Sequence, residues 1–221
     1  DKDTLEPRFK VIGCDLWSDD PQFTEEVKQV TGICGSGIIE VIAEMFLAGI
    51  LSADGKINPS ATERVVEDGR TLAYIVHSGD PEIRVSQNDV RAIQLAKAAL
   101  HAGAKLLMER FGVDKVDRIR LAGAFGAHID VHYAMVLGLI PECDLEQVSS
   151  AGNAAGTGAR IALLNRKSRT FIEQQVRAVE KIETAVEPRF QDHFVDAMAI
   201  PNGESGALDT SKRGRRRRTR S

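Results

Sequence analysis

The 221 residues carry a formal net charge of −3, with 43% apolar, 28% charged and only 5% aromatic side chains. That apolar share is ordinary for a globular chain with a buried core, whereas so few rings exclude an aromatic platform for stacking single-stranded nucleic acid. No apolar run approaches the roughly 20 residues that a membrane-spanning helix needs.

Residues 1–10 are charged, begin without methionine and lack a signal-peptide pattern, so a cytoplasmic chain that starts within a longer protein is expected. The three cysteines, Cys14, Cys34 and Cys143, are widely separated and never form C-x-x-C, which argues against a disulfide framework or an iron–sulfur site in this segment. Charge is uneven. Residues 211–221 hold seven Lys and Arg and no acid, and removing these from the net of −3 leaves −10 for the rest. With the Gly, Ser and Asn of 202–206, this marks residues 202–221 as a disordered basic tail. A solvated tail is the favoured reading over contact with nucleic acid or an acidic partner.

Taken in order, residues 9–12 read as a short strand and 16–23 as an acidic, Pro-containing loop. A helix is expected over 36–48, opening out of a glycine turn and stopped by Gly49, with a polar turn over 52–59. Residues 71–77 and 82–85 alternate as strands around Gly79-Asp80-Pro81, the pattern of a hairpin. Ser86 with Asp89 three residues later makes a capping box. The long helix it opens carries Val90, Ile93, Leu95, Ala96, Leu100, Ala104, Leu107 and Met108 at helical spacing and stops at Gly112. A strand over 116–121 follows, then a short helix, 131–139, capped by Asp130. Residues 147–151 form a strand or its edge, and a small-residue cluster feeds a helix through Leu164. Ser168 is placed to cap a helix over 171–182, and Pro188 to start the last one, ending before Pro201. Strands alternating with helices give an α/β class with a mixed sheet covered by helices.

Three glycine-rich turns punctuate this order: G-I-C-G-S-G at 32–37, L-A-G-A-F-G at 121–126 and A-G-N-A-A-G-T-G-A at 151–159. The first leads straight into a helix, whose free N–H groups and dipole favour an anion. The second breaks a strand at its carboxyl end, where open α/β sheets bind ligands. The first is neither a Walker loop nor a Rossmann fingerprint, and spacing alone fits nucleotide binding and tight helix packing equally. Cys34 reads as a small residue packed in a tight turn rather than a reactive thiol.

V-T-G-I-C-G-S-G-I-I-E-V-I-A-E-M, L-A-G-A-F-G-A-H-I-D and A-G-N-A-A-G-T-G-A together resemble the C-terminal ATPase domain of the reductive activators of corrinoid proteins, including those serving methylamine methyltransferases. The resemblance covers roughly residues 5–201. It implies the second lobe of the actin-like (ribonuclease H-like) ATPase fold, with residues 1–201 as the C-terminal portion of that domain. It also implies an ATP-dependent activity that returns an inactive Co(II) corrinoid on a partner protein to Co(I), with the electron delivered by an iron–sulfur cluster and ATP or ADP bound with magnesium. On this likeness Gly123, Ala124, Phe125 and Gly126 form the adenosine turn, while Gly35, Ser36 and Gly37 lie beside the nucleotide. Glu40, one helical turn on, accepts from ribose hydroxyls, with a solvated helix residue as the alternative. Asn153 and Gly156 match the closing connection, by direct contact or by close helix packing. The likeness leaves room for a homodimer.

The departures from the family are equally plain. No acidic phosphate turn is found, because Asp54-Gly55 and Asp68-Gly69 lack a preceding apolar strand, and no cysteine cluster is present; magnesium ligands and the iron–sulfur centre are therefore expected outside these residues. The chain alone is not expected to hydrolyse ATP. His128 and His132 stand four apart around Asp130, but Ile129 occupies the position where a zincin has Glu, so no metal site is expected. Asp130 reads as a helix cap and His128 as a neighbour of the nucleotide turn. The acidic run of Asp19, Asp20, Glu25 and Glu26 reads as solvated, or as a surface for the corrinoid partner. The alternatives are a kinase or chaperone-type ATPase of the same fold, and a non-catalytic dimerisation or nucleic-acid-binding module.

Overall fold

The computed structural model describes residues 1–201 except Lys28, Ala124, Phe125, Ala127 and Ala185; the basic tail lies outside the described residues. Its helices are α1 (Phe23–Glu26), α2 (Gly35–Leu47), α3 (Gln87–Phe111), α4 (Val131–Leu137), α5 (Ala154–Leu164), α6 (Arg166–Ala178) and α7 (Pro188–Asp196). The strands are β1 (Val65–Asp68), β2 (Thr71–His77), β3 (Ile83–Ser86), β4 (Ile119–Ala122) and β5 (Val148–Gly152). They form an antiparallel β1-β2-β3 sheet and a parallel β4-β5 pair.

Local chemistry explains most boundaries. Ser86 Oγ accepts from Asp89 N, and Asp89 Oδ2 accepts from Ser86 N, so the capping box forms and starts α3. Gly112 ends that helix in the left-handed conformation at φ +67°. The hairpin of β2 and β3 turns through 79–81, with Tyr74 opposite Val85. In α2, Ile39, Ile42, Ala43 and Met45 recur on one face and are buried together with Tyr74, Val85, Val90 and the α4 residues Ala134, Met135, Val136 and Leu137. One core thus joins α2, the antiparallel sheet, the start of α3 and α4.

Several expectations are corrected. Residues 9–12 are not a strand: Phe9 and Ser18 close a loop through Ser18 N to Phe9 O (2.8 Å) and Phe9 N to Ser18 Oγ (3.1 Å), and Phe9 packs edge-on against Phe23 and His77. Asp68-Gly69 does follow a strand, since Val65–Asp68 pairs with β2. That strand turns back as a hairpin, and Asp68 Oδ1 lies 3.6 Å from Arg84 Nη1. The 166–178 helix is capped by Asn165, whose Oδ1 accepts from Lys167 N and Ser168 N, rather than by Ser168.

The face of α3 is also reassigned. Leu95, Leu100 and Leu107 lie on its open side, and the buried line is Val90, Gln94, Lys97, Ala98, Ala102 and Leu106. Two polar side chains occupy core positions because a backbone segment from the far end of the chain passes over them and accepts their hydrogen bonds.

Candidate nucleotide site

The turn before α2 is organised by a thiol. Cys34, in extended backbone, is the N-cap of the helix, and its Sγ accepts from Gly37 N at 3.3 Å. Ser36 Oγ lies 3.3 Å from the same sulfur. These two contacts, the Ser36 hydroxyl foremost, hold the Cys34 thiol below its ordinary pKa. Cys34 is exposed, so it serves as a cap on the surface and not as packing. A Cβ on Gly37 would stand 3.2 Å from Ile33 Cγ2 and 3.3 Å from the Cys34 sulfur, so glycine lets the cap close tightly there. Gly35 is the first residue of the helix.

Glu40 is half-buried one turn further on, and burial, then the charges of Asp130 and Glu44, push its carboxyl above the usual range. Asp130 is the N-cap of α4, so this coupling links the first turns of α2 to the start of α4. The same helices are joined by Tyr133, whose hydroxyl donates to Glu44 Oε1. Asp130 caps α4 as expected, accepting from His132 N (2.8 Å) and Tyr133 N (3.2 Å).

The ends of β4 and β5 lie side by side. Gly123, at φ +101°, donates from its N–H to Gly152 O at 2.8 Å, and Gly152 itself is at φ +58°. Both turns need left-handed backbone that glycine adopts without strain. A Cβ on Gly126 would come within 3.1 Å of Leu121 Cβ and 3.2 Å of the Leu121 carbonyl carbon, so the chain doubles back against its own strand. Ala124 and Phe125 lie outside the described residues. Beyond Gly152, Asn153 caps α5 by accepting from Gly156 N at 2.8 Å, and a Cβ on Gly156 would meet the Asn153 amide nitrogen at 2.7 Å. Packing within the cap therefore accounts for that pair by itself.

Electrostatics divides this region. The starts of α2 and α5 carry no acidic side chain in the first turn and keep the positive end of the helix dipole, which suits an anion. Around Glu40, by contrast, Glu44 and Asp130 make a negative lining that repels phosphate and suits hydroxyl donors. Among the described residues no three His, Cys, Asp or Glu side chains come together, and Cys14, Cys34 and Cys143 are all free. These residues do not fit a magnesium or iron–sulfur site. Gly152, Glu44 and Tyr133 were not expected at the site. Gly152 had a sequence signal, a glycine directly after a strand, whereas the Glu44–Tyr133 contact spans 89 positions and had none.

A parallel strand pair whose glycine turns meet at its carboxyl end, with a helix opening from the second of them, is an α/β arrangement. The family model described as the C-terminal domain of RACo, the ASKHA domain, matches residues 1–212, and the chain belongs to that family. The corrinoid activation enzyme RamQ of Eubacterium limosum is 38% identical over 179 residues, 74% of this chain and 30% of that protein. A solved structure described as a reductive activator for corrinoid, iron-sulfur protein superposes with a TM-score of 0.71 at 33% identity, covering 77% of this chain and 28% of that one. The chain thus spans under a third of the length of the relatives it matches. No helix among the described residues is long and apolar enough to cross a membrane.

Proposed function

We propose that this domain binds an adenine nucleotide as part of an ATP-dependent activase that returns Co(II) corrinoid on a partner protein to Co(I). What supports the reading is the paired turn of Gly123 and Gly152 with the close approach of Gly126 to Leu121, which leaves main chain uncovered at the carboxyl end of β4 and β5. The adenosine lies against 123–126, and Gly35, Ser36, Gly37, Asn153 and Gly156 border it. Glu40 takes the ribose hydroxyls, because its acidic surroundings disfavour a phosphate. The homologues are named for corrinoid activation, which supports a corrinoid protein as partner.

The reaction adds one electron to cobalt. In this proposal the electron comes from an iron–sulfur centre outside these residues, and magnesium ligands for the phosphates are supplied there too. What the present residues do is hold the nucleoside end and exclude water from it. Titration calorimetry with ADP and with ATP tests the first step: saturable heat is expected from the folded chain, together with no ATP turnover by it alone. A natively folded sample that gives no heat with either nucleotide overturns the proposal.

A further inference from the structure

Three side chains spaced along α3, Gln87, Gln94 and Lys97, grip two pieces of backbone from elsewhere in the chain. Gln87 donates from Nε2 to Gly55 O (2.6 Å) and accepts from Ile57 N (3.0 Å). Gln94 Nε2 donates to Met198 O (3.0 Å) and Asp54 O (3.2 Å). Lys97, fully buried, donates from Nζ to Ala197 O (2.7 Å) and to Ala199 O. Three successive carbonyls, 197 to 199, are therefore bound by two side chains one turn apart. Ile200 completes the strap, with its N–H on Ala53 O at 2.8 Å and its side chain wholly buried. The 52–57 turn can cross here only because residue 55 is glycine: a Cβ would fall 2.5 Å from the Gln94 amide.

Ala197 is also the C-cap residue of α7, so the Lys97 ammonium sits at the negative end of that helix and binds carbonyls that α7 leaves unpaired. The rest of α7 packs along α3 without a fully buried side chain. None of its residues from 188 to 196 is buried. Its charged contacts with α3 include Arg189 to Glu109 at 2.7 Å, His193 Nε2 to Glu109 at 3.1 Å and, from its N-cap, Glu187 to Arg110 at 3.4 Å. Partly exposed pairs of this kind contribute little. The deep anchors are Ala197 and Ile200 on the strap and Lys97 beneath it.

We propose that α7 and residues 197–201 form a latch that opens from α3 as one unit, and that Lys97, acting as a C-cap reached from another helix, is the group that holds it shut. Opening returns a buried ammonium and three carbonyls to water and uncovers Ile200 and the buried face of α3, while α2, the antiparallel sheet and α4 keep their packing. The latch rests on contacts among α3, α7, the strap and the 52–57 turn, and on none of the glycine turns, so it stands or falls separately from nucleotide binding.

Native-state backbone hydrogen exchange on the whole chain, with increasing sub-denaturing urea, tests it. In the wild type, amides of 190–200 should exchange through an opening at least tenfold more populated than the one that exposes Ala73 and Tyr74 in β2 or Ile42 in α2. Lys97→Met should raise exchange in 190–200 at least tenfold and leave β2 and α2 unchanged. Ile200→Ala gives the same regional pattern and serves if Lys97→Met fails to fold. Exchange of 190–200 in step with β2 in the wild type overturns the latch, as does a Lys97→Met effect that is absent or uniform over the core.

Discussion

Burying Lys97 makes stability depend on pH in a direction opposite to that of a paired lysine. Its ordinary pKa of 10.5 is lowered to about 8 by desolvation. A group whose pKa is depressed on folding contributes stability that is fully present above its unfolded value and lost as pH falls through the folded one. The window here runs from 10.5 down to about 8. At about 1.36 kcal/mol per unit, this shift amounts to about 3 kcal/mol in total, most of it gained between pH 7 and pH 10. The two carbonyls and the α7 terminus favour the ammonium, so these figures are ceilings.

Other charged and titratable groups lie on the elements packed against the lysine. Asp54, on the turn, is held at about 2 by Lys56 and Ser52; Glu109 pairs with Arg189 and His193; Asp196 adjoins the strap, and His101 follows one turn along α3. Urea unfolding of the wild type and of Lys97→Met, every half unit from pH 7 to pH 10, isolates the term. The Cys34 thiol, its pKa lowered by Ser36 and the Gly37 N–H, is common to both proteins and cancels in the difference. Tyr74, raised to about 12 chiefly by burial, acts with the opposite sign only above pH 10. The stability difference, wild type minus variant, should grow by about 1–2 kcal/mol, on the order set by the linkage relation, as pH rises. A difference that stays constant from pH 7 to pH 10 refutes the reasoning.

Three further outcomes follow from the local geometry. Gly126→Ala forces a methyl group against the Leu121 backbone, so it should cost about 1–3 kcal/mol in urea unfolding and weaken ADP at least tenfold by calorimetry. Glu40→Gln should weaken ADP about tenfold and 2′-deoxy-ADP much less, the coupling expected if Glu40 serves the ribose hydroxyl; equal losses for both ligands remove that role. Ser86→Ala removes the hydroxyl half of the capping box, leaving Asp89 Oδ2 on the residue-86 backbone N–H, and should lower stability by about 0.5–2 kcal/mol with ADP affinity unchanged.

What the sequence reveals and what it conceals divides by the range of the contact. The limits of α3, the β2–β3 hairpin and the Asp130 cap are legible because each is decided within a few residues: a box closed by Ser86 and Asp89, a turn at 79–81, a left-handed glycine at 112. Gly123 and Gly126 are legible for the same reason, since left-handed backbone and a close approach to Leu121 are local demands. The Asn153–Gly156 cap is likewise local, although sequence alone leaves packing and ligand contact equally open.

The buried face of α3 is a different case. Apolar spacing favours Leu95, Leu100 and Leu107, yet Gln94 and Lys97 are inside, because their partners lie 104 and 100 residues away in the strap. Hydrophobicity alone cannot rank a lysine above a leucine for burial; only backbone carbonyls brought by a distant segment reverse the order. Once those carbonyls are in place, the lysine becomes the most specific contact on the helix. A leucine at 97 would leave the carbonyls of 197 and 199 without donors, so the polar choice and the path of the strap determine each other.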